Sequence, residues 1–301
     1  MPLAAQANTL HRETVIGLVT AASGFLIWGL SPLYFALVAH LGPWEIVAHR
    51  LVWTVVLLVP LVWGLKKAHL IAVEVRQPRR LLLYAATTAL VTSNWTLFIW
   101  AVLNGHLLQA SLGYYINPLI NVVLGVLFLR EVLNRPQRAA VLLATVGVGW
   151  LIVASGEVPI IALLLATTFG LYGLIRKTAG IDPQAGLLIE TLLVAPIALG
   201  YLIVLGWEGQ GAFGAGWGIS GLLIFAGAVT ASPLILFMHG VKRLRYATVG
   251  LMQYIAPTLQ FLIAVTVFAE PFGRDHLVTF AFIWAGLALY TADGWRRHRG
   301  G

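Results

Sequence analysis

The chain is a succession of apolar runs of about twenty residues, the length a helix needs to cross the ~30 Å hydrocarbon core of a bilayer. They predict ten membrane helices, near Thr14–Ala39, Trp44–Gly64, Arg80–Leu103, Leu107–Leu129, Pro136–Ser155, Pro159–Ile175, Gly186–Gly206, Trp217–Gly240, Tyr246–Ala269 and Leu277–Asp293. Only short polar segments separate them, so no stretch is left for a soluble domain. Polar residues inside the runs cluster. The fourth run reads Ser111-Leu-Gly-Tyr-Tyr-Ile-Asn-Pro-Leu-Ile-Asn121, and the ninth carries an echo of it, Tyr254-Ile-Ala-Pro257, with Gln253 and Gln260 in place of Tyr114 and Asn121. Pro118 lacks a backbone donor, and Asn117 and Asn121 share one helix face at i and i+4. Pro32, Pro118 and Pro257 are therefore expected to break their helices. Broken, polar helix survives at membrane depth only where it is buried in protein or lines a wet cavity.

Composition agrees with a membrane solvent. Of 301 residues 59% are hydrophobic and 10% charged, against roughly 25% charged in soluble domains. The net charge of +8 does not indicate nucleic acid, because the basic residues are scattered among inter-helix segments. They report orientation instead. With both termini cytoplasmic, every Lys and Arg except Arg50 and Arg274 falls on the inner side, an almost complete positive-inside bias. The first run, about 25 residues long, exceeds a signal-peptide core and reads as an uncleaved helix. Cysteine is absent, which excludes thiolate catalysis and cysteine-ligated metal. No cofactor is expected.

The second half repeats the first. At one fixed ungapped shift, Ser93, Leu97, Phe98, Val102, Tyr115, Ile116, Pro118, Glu131, Arg135 and Gly147 meet Ser232, Leu236, Phe237, Val241, Tyr254, Ile255, Pro257, Glu270, Arg274 and Gly286. A register one or two residues longer sets Pro43 over Pro183, Arg50 over Glu190 and Gly29 over Gly170. Each repeat, 1–156 and 157–301, holds five helices, and an odd number makes the copies insert in opposite orientations. The expected fold is an all-α integral membrane protein of ten transmembrane helices in two inverted five-helix repeats. Such repeats around a midplane site are a recurring plan of secondary transporters; a duplicated structural scaffold is the alternative.

The strings FLIWGLSPLYF, EIVAHR, SNWTLFIWAV, ASLGYYINPLINVVLG, GLLIET, QYIAPTLQFL and VTFAFIW resemble, in order and over nearly the whole chain, the RarD branch of the EamA family in the drug/metabolite transporter superfamily. The blocks Glu131 to Gly147 and Glu270 to Gly286 are similar to the general EamA repeat signature. The resemblance implies a ten-helix inner-membrane carrier with helices 1 to 4 and 6 to 9 around a central cavity and helices 5 and 10 peripheral. RarD-like proteins carry a chloramphenicol-sensitivity label, which assigns no substrate here.

Candidate residues follow from polarity at depth. Asn94, Trp95, Tyr114, Tyr115, Asn117 and Asn121, with Tyr172, Gln253, Tyr254 and Gln260 from the second half, are the expected cavity lining. Amides, phenols and aromatic faces suit an amphipathic organic solute, although Asn and Tyr also serve as glue between helices. Arg50 and Glu190 are ionisable residues within the runs, roughly 15 Å apart in depth at ~1.5 Å per residue. They are expected at opposite mouths as gate or coupling residues, Arg50 meeting Glu270 and Glu190 meeting Arg135 or Arg130, with Glu131 the counterpart of Glu270. Snorkelling to the interface is the alternative. Most of Trp28, Trp44, Trp53, Trp63, Trp207, Trp217 and Trp295 read as interfacial anchors, with Trp28 beside Pro32 either at a kink or at the cavity.

Other patterns carry no chemistry. Gly209-Gln-Gly211-Ala-Phe-Gly214 fits GxGxxG without the strand and helix a dinucleotide site needs. Asn94-Trp95-Thr96 fits a glycosylation sequon inside a helix. His49 has no second metal ligand at helical spacing and is expected to hydrogen-bond a neighbour. The resulting expectation is a secondary transporter of a small organic solute, a metabolite or drug-like molecule, exporting by alternating access. Its partners are that solute and the bilayer. A non-transporting scaffold or sensor, or a membrane-embedded enzyme, are the competing readings. Small residues Ala140, Ala144, Ala281 and Ala285 suit packing either within one chain or against a second copy, so a homodimer is left open.

Overall fold

The computed structural model describes residues 3–130, 132–156, 158–244, 248–249 and 252–299, which are helical nearly throughout. The helices are α1 (Leu3–Leu37), α2 (Pro43–Gly64), α3 (Ala68–Val75), α4 (Pro78–Leu103), α5 (Leu107–Leu129), α6 (Arg135–Ser155), α7 (Ile160–Ala179), α8 (Pro183–Trp207), α9 (Trp217–Val241), α10 (Ile255–Thr266) and α11 (Arg274–Arg299). Among the described residues nine are long and apolar enough to cross a membrane, and α10, at 12 residues, is shorter. The ninth expected span, Tyr246–Ala269, is thus described as helix only in its second part. Residues 245–247 and 250–251 lie outside the description, as does the expected gate residue Glu131. The short helix α3 was not expected.

Two of the expected helix breaks are absent. α1 and α5 run through Pro32 and Pro118 without interruption, because each proline removes one hydrogen bond while packing on neighbours holds the remaining turns. Pro257 sits in the first turn of α10, where its missing donor costs nothing, just after a non-helical turn at Gln253 and Tyr254. The interruption therefore precedes Pro257.

The helices pack in a pattern that survives exchange of the halves, with α1 swapped for α7, α2 for α8, α4 for α9, α5 for α10 and α6 for α11. α1 packs on α9 as α7 packs on α4, and α1 on α10 as α7 on α5. α2 meets α9 as α8 meets α4, while α2 meets α8, α5 meets α10 and α6 meets α11. The α6–α11 contact is the most extensive seam. A Cβ on Gly147 would lie 3.0 Å from the Thr279 carbonyl oxygen, and one on Gly286 would lie 2.8 Å from that of Ala140, so only glycine admits this approach. Ala140 and Ala144 are buried, while Ala281 and Ala285 face outward.

Side chains cap the starts of α6 and α8. Asn134 and Gln137 form a reciprocal capping box on α6. Asp182 accepts from the Gln184 and Ala185 amides at the start of α8 and pairs with Lys67 at 2.5 Å. Burial alone would raise the Asp182 carboxyl, but the Lys67 ammonium and the two amides outweigh it and hold the group below its ordinary value. Trp44, Trp63, Trp207 and Trp217 are exposed near helix ends, as an interfacial belt requires. Trp28 and Trp53 are not, and the Trp295 side chain lies outside the description.

Candidate functional site

The helices enclose a central cavity of about 360 Å³. Its wall takes residues from α1, α2, α4 and α5, from α7, α8, α9 and α10, and from Val249 and Gln253 ahead of α10. α6 and α11 contribute none, being packed on each other at the periphery. On the helices that give several wall residues, these recur at helical spacing: Val91, Asn94, Trp95 and Phe98 on α4; Tyr114, Asn117 and Pro118 on α5; Phe169, Tyr172 and Arg176 on α7.

Of the ten residues expected in the lining, Asn94, Trp95, Tyr114, Asn117, Tyr172, Gln253 and Gln260 stand in this wall. The other three do not. One position round the helix from Tyr114, Tyr115 turns away to bond Thr258 at 2.7 Å and pack on Phe280 and Trp284. Tyr254 stacks on Tyr115 outside the wall. A turn beyond Asn117, Asn121 donates to the Asn117 side-chain oxygen at 3.2 Å. Pro118 and Pro257 line the cavity and Pro32 does not.

Several wall amides also tie helices together. The Asn94 amide donates to the Leu165 carbonyl and the Thr168 hydroxyl, both at 2.9 Å, joining α4 to α7. The Asn117 amide donates to the Ala166 carbonyl at 3.0 Å, joining α5 to α7. In α1, Pro32 cannot donate to the carbonyl four residues back, that of Trp28. That oxygen instead accepts from the Ser31 hydroxyl at 2.8 Å and from the Gln260 amide at 3.3 Å, so α10 is bonded where the proline opened α1. Trp28 itself lines the cavity.

The charged residues have other partners than expected. Arg50 is buried in the wall, its Nε donating to Thr230 Oγ1 at 2.7 Å and its guanidinium 4.4 Å from the Trp95 ring centroid. It does not meet Glu270. Glu270 accepts from the Leu107 and Leu108 amides at 2.6 and 2.7 Å, satisfying two orphan donors at the start of α5. Glu190 meets neither Arg130 nor Arg135. It lies 3.3 Å from Arg176 and accepts from Tyr172 at 3.1 Å, while the Arg176 guanidinium also bonds the Tyr172 hydroxyl and the Asp182 and Pro183 carbonyls. The expected pairs fail because Arg50 turns into the cavity wall while Glu270 caps α5, and because Glu190 takes Arg176 instead.

Sequence reasoning missed Arg176, which reads as one more inner-side basic residue, and the aromatic wall. One arc of rings runs Phe35, Phe98, Tyr114, Phe169, Tyr172, with successive centroids 6.2, 5.6, 6.4 and 6.0 Å apart. Another joins Phe25 and Trp28 to Phe237. Helical spacing from Asn94 and Tyr172 would have found Phe98 and Phe169.

A second cavity, of about 260 Å³, lies between α2, α8 and the loop before α9. Neither ring nitrogen of His49 has a hydrogen-bond partner there, contrary to expectation, and the ring packs on Phe213 at 5.3 Å. Among the described residues no group of three potential metal ligands occurs.

Comparison with known proteins places this architecture. Residues 15–153 match the family model of the EamA-like transporter family. The chain is 44% identical over 279 residues to an uncharacterized transporter of Vibrio cholerae, covering 92% of each chain. A crystal structure of a protein sharing 17% identity superposes with a TM-score of 0.58, covering 92% of this chain and 97% of that one, a likeness of fold. The chain belongs to the EamA family of the drug/metabolite transporter superfamily, a family of transporters and not of enzymes.

Within that family it is of the RarD type. It is 42% identical over 283 residues to Protein RarD of Escherichia coli, covering 94% of this chain and 96% of that protein. It is 32% identical over 287 residues to the chloramphenicol-sensitive protein RarD of Pseudomonas aeruginosa, covering 93% of each.

Proposed function

We infer that this chain is a secondary carrier that exports a small amphipathic organic solute across the cytoplasmic membrane by alternating access. The observation that carries the reading is the central cavity: it draws its wall from both halves, combines aromatic rings with amides and a guanidinium, and excludes α6 and α11. Its volume falls at the low end of the range of about 300–1,000 Å³ typical of small-molecule sites. A scaffold or sensor needs no such chamber.

The moving parts are the two inverted five-helix repeats, 1–156 and 157–301, with α10 and the residues before it as the ninth of ten spans. The reading is supported by the matched residues of the two halves and by helix pairs that exchange consistently between them. Both termini are cytoplasmic by the distribution of basic residues. On that side Glu190, Arg176 and Tyr172, with the Lys67–Asp182 pair, form the inner closure, and Arg50 belongs to the binding wall. The sequence has no Walker A motif to couple ATP, and Glu190, 1% exposed and paired with the wall residues Arg176 and Tyr172, is the acid through which proton coupling would run.

The test is counterflow into liposomes holding the purified protein, screened with amino acids, aromatic metabolites and antibiotics. Chloramphenicol is included because the Pseudomonas relative's name refers to it. Saturable counterflow of at least one solute class, absent from protein-free liposomes, is expected; none for any class contradicts the reading.

A further inference from the structure

We propose that the solute is a small organic anion, carrying a carboxylate or sulfonate that Arg50 receives and a separate hydrogen-bond donor that Gln260 receives. The inference rests on the carrier reading and narrows it. A guanidinium inside a membrane protein is costly unless it is paired. Arg50 is 7% exposed, yet among the described residues no carboxylate lies within 4.0 Å of it. What it has is partial compensation. Nε donates to Thr230, the Trp95 ring lies 4.4 Å away, and the Phe35 ring is 6.0 Å away. The two terminal nitrogens have no acceptor among the described residues, and the side chain lines the cavity. Their fork matches a carboxylate or sulfonate in a bidentate arrangement.

The balance of charge points the same way. The wall holds two guanidiniums, and the buried acid near it, Glu190, is already bonded to Arg176 and Tyr172. Nearby phenols offer no negative charge: the Tyr34 hydroxyl donates to the Leu222 carbonyl at 2.8 Å and Tyr114 donates to Asn94 at 3.4 Å. A cationic solute would meet Arg50 with no carboxylate in compensation. An inorganic anion would leave most of the aromatic wall unused.

Gln260 supplies the second point of recognition. It is 4% exposed and lines the cavity, its amide nitrogen is taken by the Trp28 carbonyl, and its side-chain oxygen has no donor. A buried amide oxygen left bare is disfavoured unless a ligand N–H or O–H reaches it. The complementary solute is a flat apolar body of one or two rings with an anionic group at one position and a neutral donor at another.

The experiment uses triplets that share a ring and a donor and differ in charge. 4-Hydroxyphenylacetate, 4-hydroxyphenylacetamide and tyramine form the first; the corresponding acid, amide and amine on hydroxyindole and hydroxynaphthyl rings form the others. Counterflow is measured in liposomes holding wild type, Arg50→Gln or Arg50→Lys, per folded protein by size-exclusion yield. The expected result is an acid moved at least tenfold faster than its amide or amine by wild type. The acid-to-amide ratio collapses toward one in Arg50→Gln and is partly kept in Arg50→Lys. If Arg50→Gln does not fold, the wild-type ratio and the Lys variant decide. An amide or amine moved as well as the acid overturns the proposal while the carrier reading stands, and so does a folded Arg50→Gln that keeps the acid preference. Movement of no triplet at all also overturns the proposal, and it takes the carrier reading with it only where the wider counterflow screen of amino acids, aromatic metabolites and antibiotics is silent as well.

Discussion

Gln260 on α10 donates to the Trp28 carbonyl on α1 at 3.3 Å, the acceptor that Pro32 leaves without its helical donor, and Ser31 donates to the same oxygen at 2.8 Å. A sequence irregularity in one half is thus met by a side chain of the other. Ser31→Ala and Gln260→Leu singly are each expected to lower unfolding free energy by about 1 kcal/mol, the net worth of one hydrogen bond. The double variant, which strands the carbonyl, should lose more than the sum of the two. A double-mutant cycle by denaturation in detergent checks this; strict additivity would show that the oxygen finds another partner.

The Glu190–Arg176 pair should be asymmetric to mutation. Arg176→Met leaves a carboxylate that is 1% exposed with the Tyr172 hydroxyl beside it, and loss of one partner from a buried pair costs about 3–5 kcal/mol. Glu190→Gln should cost less, because the guanidinium keeps the Asp182 and Pro183 carbonyls at 3.1 and 3.0 Å. Thermal unfolding of both variants measures the order, and a more damaging Glu190→Gln would reverse it.

Acid should weaken the inner end of α8. The Asp182 carboxyl is held below its ordinary value of 3.8 by Lys67 and the amides of Ala185 and Gln184. A depressed folded-state value contributes stability that is present above the unfolded value and lost as pH falls through the folded one. Wild type should therefore exceed Asp182→Asn in melting temperature at pH 6, and the two should converge below about pH 4. Parallel curves across that range would remove Asp182 from the stability account.

The α6–α11 seam separates folding from transport. Gly147→Val places a side chain against the Thr279 carbonyl and Phe282, and overpacking of this kind costs about 1–3 kcal/mol. Neither helix lines the cavity, so counterflow per folded molecule should stay within about twofold of wild type, well under the tenfold change that about 1.4 kcal/mol of transition-state loss would bring. A much larger loss would give the seam a part in the transport cycle.

The bilayer made most of the fold legible, because a helix that spans it must be apolar for about twenty residues and, among the described residues, nine such helices stand where hydropathy sets them. The cavity was legible where a polar residue interrupts an apolar run, as with Asn94, Asn117, Tyr172 and Gln260. Phe35, Phe98 and Phe237 look like any membrane-facing ring, and only helical spacing from a polar neighbour marks them. Tyr115 misled because its neighbour Tyr114 belongs to the wall, whereas about 100° of rotation per residue sends it into the α5–α10–α11 packing, where Tyr254, in the turn before α10, stacks on it. Arg50 and Glu190 were read as shallow from their positions along the helices, but burial depends on which neighbours cross there, and those contacts are non-local.

Alternating access requires that one cavity open to each side of the membrane in turn. The chain has no cysteine, so a single Val229→Cys, on α9 in the cavity wall, reports access without background. It is labelled with a membrane-impermeant maleimide in right-side-out and in inside-out vesicles. Labelling from both sides, slowed on both by a transported solute, is expected; labelling from one side only, or from neither, would overturn alternating access.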